Sequence, residues 1–262
     1  MNNPMAQELG SIETNKKLFS DKRAKRYENR KLEYNFNTVP FEWHFLKALS
    51  SINDGLEVID IGCGTGELIR KIAQQKQGQF LGVDLSQSMI KSAKDKSKDI
   101  SNLSFDVMSS LDLKIKDKSF DVAIMRGSLH HFPDPLKSIK EAFRILKDKG
   151  ELHILDILSY EEKEIDKIFN KTNVLRQPAN HKFYAKSKLN KFCKNAGFKE
   201  IKIFEHKITM ELEKWLKTYQ NYDEVKSFFL NSSEKIKKAF NLRSDNAKYL
   251  LDFKSFYLIA KK

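Results

Sequence analysis

Cysteine is nearly absent from this chain, with Cys63 and Cys193 the only two in 262 residues. No disulfide framework is expected, and a reducing cytoplasm is the expected setting. Long apolar runs are also missing. The longest are strand-length, so no membrane-spanning helix of about 20 residues is expected. Met1 to Gly10 has neither the basic start nor the apolar centre of a secretory leader, and none is expected. The six histidines are His44, His130, His131, His153, His181 and His206. They form no H-x-x-x-H or Cys–His cluster, so no metal site is expected. The neighbours His130 and His131 are expected to point in different directions and to chelate poorly.

Acidic residues are outnumbered, 35 to 48, for a formal net charge of +13. A basic balance can serve nucleic acid or an anionic membrane. Here the lysines are spread and mixed with acids, as in Lys91 to Asp99, which describes solvated helix faces. The densest basic stretch is Lys22-Arg23-Ala24-Lys25-Arg26, continuing to Arg30-Lys31. It leaves RNA as a rival partner, behind the solvated-surface reading.

What is present is an alternation of strand and helix patterns. Residues 1–15 read as a loose arm. Helical patterns follow, with Leu18, Phe19 and Tyr27, then Phe41, Phe45, Leu46 and Leu49 after Pro40. Strands are expected at 57–61, 79–84, 103–107, 119–125 and 151–158. Ser86 is expected to cap the helix of Met89, Ile90 and Ala93. Asp134-Pro135 opens a helix carrying Leu136, Ile139, Phe143 and Leu146, closed by Gly150. Ser187 is expected to cap the helix of Leu189, Phe192, Cys193 and Ala196, ended by Gly197. Residues 198–208 read as a strand, 211–243 as helical and 253–260 as the last strand. Trp215, Phe228 and Phe229 sit at helical spacing and read as core. Such alternation implies βαβ units and a mostly parallel sheet. There is no internal repeat or long linker, so a single domain, 1–262, is expected. Its parts are a helical lid (1–50), an alternating strand–helix core (55–158) and helical additions (159–185 and 211–247).

The chemistry concentrates at Asp60-Ile61-Gly62-Cys63-Gly64-Thr65-Gly66, where a strand runs through a glycine turn into a helix. Glycine lets the backbone take positive φ and lets a ligand approach closely, and the helix start offers N–H groups. A dinucleotide site wants G-x-G-x-x-G. Here position 67 is Glu, and a carboxylate near a docking pyrophosphate is unfavourable. The turn suits a ligand without phosphates. Asp84, at the end of the second strand, is placed to accept ribose hydroxyls. Asp106, near the end of the third, reads equally as an adenine contact or a turn residue.

Four stretches, in this order and spacing, resemble the class I S-adenosylmethionine-dependent methyltransferases of the ubiquinone/menaquinone type. They are residues 58–66, Gly82-Val83-Asp84-Leu85-Ser86, Ser119–Ile124 leading to Leu129-His130-His131-Phe132, and Leu146–Leu152. The resemblance covers roughly 55–208 and, more weakly, the last strand. It implies an α/β fold, a Rossmann-like seven-stranded mostly parallel sheet with helices on both faces, an antiparallel last strand and helical cap insertions. It implies S-adenosylmethionine as methyl donor, S-adenosylhomocysteine as product and a small-molecule methyl acceptor. Gly62 and Gly64 would then approach the methionine part, Asp60 orient its amino group, Asp84 hold the ribose, Leu85 pack on the adenine, and Asp106 and Val107 meet the adenine edge. Arg126 departs from the family, which often has a small residue there and uses the backbone carbonyl for the cofactor amine.

Methyl transfer from a sulfonium depends mainly on alignment, and a general base helps a hydroxyl, phenol or enol acceptor. His130 and His131 are the candidates, with His130 preferred, because histidine titrates near neutrality. Tyr27, His181 and Tyr184 are candidate substrate contacts. An RNA methyltransferase and a non-catalytic S-adenosylmethionine binder are the remaining alternatives.

Overall fold

The computed structural model describes residues 44, 47–177, 180–216, 221–246 and 248–262. Phe19, Tyr27, the basic stretch 22–31, Pro40, Phe41, Phe45 and Leu46 lie outside the described residues.

Helical residues 47–51 lead into β1 (Leu56–Ile61). There follow α1 (Glu67–Ala73), β2 (Gly78–Asp84), α2 (Gln87–Asp95), β3 (Leu103–Val107), β4 (Phe120–Arg126) and a 3₁₀ turn (Leu129–His131). Next come α3 (Pro135–Ile145), β5 (Leu146–Leu158), α4 (Lys163–Arg176), α5 (Lys186–Ala196) and β6 (Glu200–Glu211). The chain ends with α6 (Leu212–Leu216), α7 (Tyr222–Leu230), α8 (Glu234–Ala239), β7 (Arg243–Asp245) and β8 (Lys248–Lys261). The sheet order is β3-β2-β1-β4-β5-β8-β6, with β7 paired to β8. Strands β1 to β5 run parallel, while β8 is antiparallel to both β5 and β6. The chain winds outward from β1 in both directions, so the crevice above β1 and β4 is the switch point where such sheets hold ligands.

Period-two alternation divides the sheet into two faces. Ile59, Ala123, Met125, Ile154 and Leu258 face a core closed by α3 and α5. Val58, Val122, Ile124, Leu155 and Tyr257 face α1 and residues 48–52. Each fully buried Ile or Leu there contributes about 1.5–3 kcal/mol relative to exposure. A third cluster, around Phe169, Trp215, Phe229, Phe240 and Phe253, binds the helical additions to the end of β8.

Several local expectations are corrected. Helix α3 stops at Ile145, and Leu146 joins the sheet opposite Phe120 instead of extending the helical stripe. The register then shifts between Phe120 and Val122. Gly150 lies inside this irregularity, where a Cβ would stand 3.1 Å from the Asp121 carbonyl oxygen. It is a close-approach glycine rather than a helix stop. Ser187 does not cap α5, because Ala185 holds that position. Instead, Ser187 donates its N–H and hydroxyl to Glu161. The pattern over 211–243 is broken into α6, α7 and α8, and β7 adds an eighth strand to the expected seven. The caps at Ser86 and Asp134 form as expected, accepting from the N–H groups of Met89 and Lys137.

Candidate active site

The ends of β1 to β5 build the site. At the end of β1, Gly62, Gly64 and Gly66 all take positive φ, at 77°, 56° and 71°. A Cβ on Gly62 would stand 2.6 Å from the Ser128 Cβ, so glycine is needed there for the β4 loop to close in. The Ser128 hydroxyl donates to the Ile61 carbonyl at 3.0 Å and ties the two loops together. Beside Gly64, a Cβ would meet nothing within 4 Å, so the backbone faces open space.

At the end of β2, Asp84 organises the turn. Its Oδ2 accepts from the Gly64 N–H at 2.9 Å and its Oδ1 from the Ser86 N–H at 2.8 Å. Burial raises its pKa, and the N–H groups of Ser86, Gly64 and Leu85 oppose that rise. Each oxygen can accept further, so the carboxylate can also receive hydroxyls. Leu85 is half-buried beside it. Across the β2–β3 pair, Asp84 is in register with Val107, whose apolar side chain is 44% exposed. Asp106 is exposed, and its Oδ1 accepts from the Val107 N–H at 2.8 Å.

Asp60 is 2% exposed, and its Oδ1 is buried with no hydrogen-bond partner. Burial pushes its pKa up to about 7, Asp84 adds to the rise and Arg126 opposes it. Leaving a carboxylate oxygen unsatisfied is costly, which marks it as awaiting a donor.

On the other side of β4, His130 meets Asp156 of β5. The Nδ1 atom lies 2.9 Å from Asp156 Oδ1 and 2.8 Å from Oδ2. A carboxylate only accepts, so Nδ1 donates, which in the neutral ring leaves Nε2 as the acceptor. Asp156 is 5% exposed and also accepts from the Ile157 N–H at 2.8 Å. The His130 ring stacks on Phe183 with centroids 4.4 Å apart, and His131 lies 4.0 Å away on the other contact. The two imidazoles therefore pack together rather than diverge. Among the described residues, no group of three or more metal-ligating side chains forms.

The insertion after β5 reaches the same place. The His181 N–H donates to the His130 carbonyl at 2.8 Å. Its ring pKa is lowered by burial first and by His130 second. Asn170 grips Phe183 by both backbone groups, accepting from its N–H at 2.7 Å and donating to its carbonyl at 3.2 Å. Tyr184 packs edge-on against Phe192 with centroids 5.1 Å apart, and burial pushes its hydroxyl up to about 12. Packing is what the structure gives it. The residues that sequence reasoning missed are Asp156, Phe183 and Asn170. Asp156 lay in an apolar strand with no motif around it, and its separation from His130 is closed only by β4–β5 pairing.

A family model described as a methyltransferase domain matches residues 52–254, most of the chain. The chain belongs to that methyltransferase-domain family. Its similarity to YcgJ, an uncharacterised methyltransferase of Bacillus subtilis, is 32% identity over 124 residues, 47% of this chain and 49% of that protein. A demethylmenaquinone methyltransferase of Listeria welshimeri is 26% identical over 180 residues, 60% of this chain and 76% of its own length. The matches thus span about half of the first relative and three-quarters of the second. The crystal structure of the Bacillus subtilis YcgJ protein superposes with a TM-score of 0.79 at 20% identity, over 84% of this chain and 98% of that one. This methyltransferase domain therefore has the same fold.

S-adenosylmethionine is the methyl donor of such proteins, and the residues fit it. The orphaned Asp60 oxygen suits its ammonium, Asp84 its ribose, and the uncovered Val107 with Leu85 its adenine. The open backbone of Gly64 suits close approach of the chain between them. Among the described residues, no helix is long and apolar enough to cross a membrane.

Proposed function

We propose that this methyltransferase domain moves a methyl group from S-adenosylmethionine to a small-molecule acceptor carrying an ionisable O–H or C–H. His130 is the general base, and Asp156 is its positioning partner. The His130–Asp156 pair, at the ends of β4 and β5 beside the cofactor cradle, is the observation that carries this reading. The relationship to a demethylmenaquinone methyltransferase supports a small-molecule acceptor of this kind.

When bound, the cofactor supplies a methyl group already activated on a positively charged sulfur, for displacement in line. His130 Nε2 takes the proton leaving the acceptor. Asp156 keeps Nδ1 protonated, aims the ring and stabilises the imidazolium that forms. Positioned base catalysis of this type contributes about 10²–10⁴ in rate, and alignment of the two reactants supplies a large further share. Phe183 covers one face of the imidazole and limits water there. The additions 159–185 and 211–247 form the acceptor side in this reading. A cytoplasmic setting belongs to it as well, in keeping with free Cys63 and Cys193.

The test is label transfer from methyl-labelled S-adenosylmethionine into a cell extract, separated into small molecules, RNA and protein. Label is expected in the small-molecule fraction and is expected to be lost with His130→Ala. Label in RNA would establish the rival substrate class. Cofactor binding with label in no fraction would establish the non-catalytic one.

A further inference from the structure

Arg126 is the last residue of β4, and its side chain has no role in the scheme above. Asp60 pairs with Ile124 across β1 and β4. Arg126 lies two residues beyond Ile124, so its side chain leaves the same face of the sheet as that of Asp60. Strands about 4.8 Å apart with a rise of about 3.3 Å per residue put the two Cα atoms about 8 Å apart. That separation is within the combined reach of the two side chains, so both can meet one small ligand group on this face. Asp60, 2% exposed, already has an orphaned Oδ1. Arg126 fails to hold Asp60 fully ionised, since burial outweighs it. A neighbour of Arg126, His44, is hydrogen-bonded through Nε2 to the Ser255 hydroxyl and is kept neutral by burial first, then by Arg126 and His206, its pKa lowered to about 3. His44 therefore brings no charge of its own to this face.

The opposite face carries the base. Asp156 pairs with Phe256, whose side chain belongs to the core under α3 and α5. Arg126 thus lies on the face that carries Asp60, and not on the face that carries the base.

We propose that Asp60 and Arg126 form a two-point clamp for the zwitterionic end of S-adenosylmethionine, Asp60 taking the ammonium and Arg126 the carboxylate. A guanidinium meets a carboxylate in a two-pronged, charge-assisted geometry that a backbone carbonyl cannot offer. The ammonium and carboxylate of the ligand are joined through a single carbon, so the two contacts fix its orientation and with it the line along which the methyl group points. The clamp rests on the family's cofactor and on no particular acceptor.

Calorimetry with S-adenosylhomocysteine and its decarboxylated analogue tests this without turnover. Wild type is expected to prefer S-adenosylhomocysteine by roughly 30-fold, the scale of one charged hydrogen-bonding contact. In Arg126→Met that preference is expected to fall to about threefold or less, with the affinity for the decarboxylated analogue unchanged. Arg126→Lys, which keeps the charge without the fork, is expected to fall between them. The clamp is overturned by an absence of preference in wild type, by a preference that survives Arg126→Met, or by an equal loss for both ligands. Should Arg126→Met fail to fold, the wild-type preference and Arg126→Lys decide the matter. Failure of wild type to bind either ligand would remove the cofactor assignment itself, a different result from binding both equally.

Discussion

Both carboxylate oxygens of Asp156 lie within 2.9 Å of His130 Nδ1. This fixes the imidazole's tautomer before any acceptor arrives. Asp156→Asn replaces one oxygen by a donor and lets the ring turn or change tautomer. Turnover is expected to fall by about 10²–10³, within the range of general-base contributions. Binding of S-adenosylhomocysteine is expected to stay within about twofold of wild type, because the base acts on the acceptor rather than on the cofactor. Single-turnover rates with a saturating acceptor, set beside calorimetry, separate the two effects. Equal turnover in Asp156→Asn would rule out the positioning role.

Asp84 holds the glycine turn through Gly64 and the start of α2 through Ser86. S-adenosylhomocysteine at a hundredfold excess over its Kd is expected to stabilise wild type by about 2.7 kcal/mol. That is about 2–4 °C of Tm per kcal/mol for a domain of this size. In Asp84→Ala the ligand-induced shift is expected to disappear. A full-sized shift in the variant, read by scanning calorimetry, would remove Asp84 from the site.

Asp60 makes the affinity depend on pH. Its folded-state pKa is raised to about 7, above the ordinary carboxylate value, by burial and Asp84 against Arg126. The ammonium of the ligand favours the ionised form. Binding is therefore expected to weaken as pH falls below about 7, approaching tenfold per unit. The empty protein shows the opposite sign in its stability. The folded state holds a proton that the unfolded state releases above about pH 4, so this group's contribution declines between about pH 4 and 7. Asp60→Asn is expected to flatten both profiles. A pH-independent Kd between 5.5 and 8 in wild type would contradict this account.

Gly62 cannot be replaced cheaply. Its φ of 77° is strained for any side chain, and a Cβ would stand 2.6 Å from that of Ser128. Gly62→Ala is expected to lower stability by about 1–3 kcal/mol and to weaken S-adenosylhomocysteine by pushing the β4 loop away. Gly64→Ala has a φ of 56° but open space around its Cβ. It is expected to cost less stability and to act mainly on the ligand. Urea melts with and without S-adenosylhomocysteine distinguish the two.

The sequence by itself determined the βαβ order, the glycine turn, the strand-end carboxylate Asp84 and the helix caps at Ser86 and Asp134. These are local features. Alternation, φ requirements and capping act over a few residues and leave their mark in short stretches of chain. The same locality explains the misreadings around Leu146 and Ser187. Leu146 continued a helical stripe on paper, yet pairing with Phe120 drew it into β5. Ser187 had the right chemistry for a cap, but Glu161, from the start of the insertion, claimed it. Tertiary structure alone decided which charged groups meet. Asp156 reaches His130 because β4 and β5 lie side by side, and Phe183 covers His130 because Asn170 holds its backbone. Arg126 faces Asp60 because register puts both on one side of the sheet. Those encounters depend on strand order and register, which are set by burying both faces of the whole sheet at once.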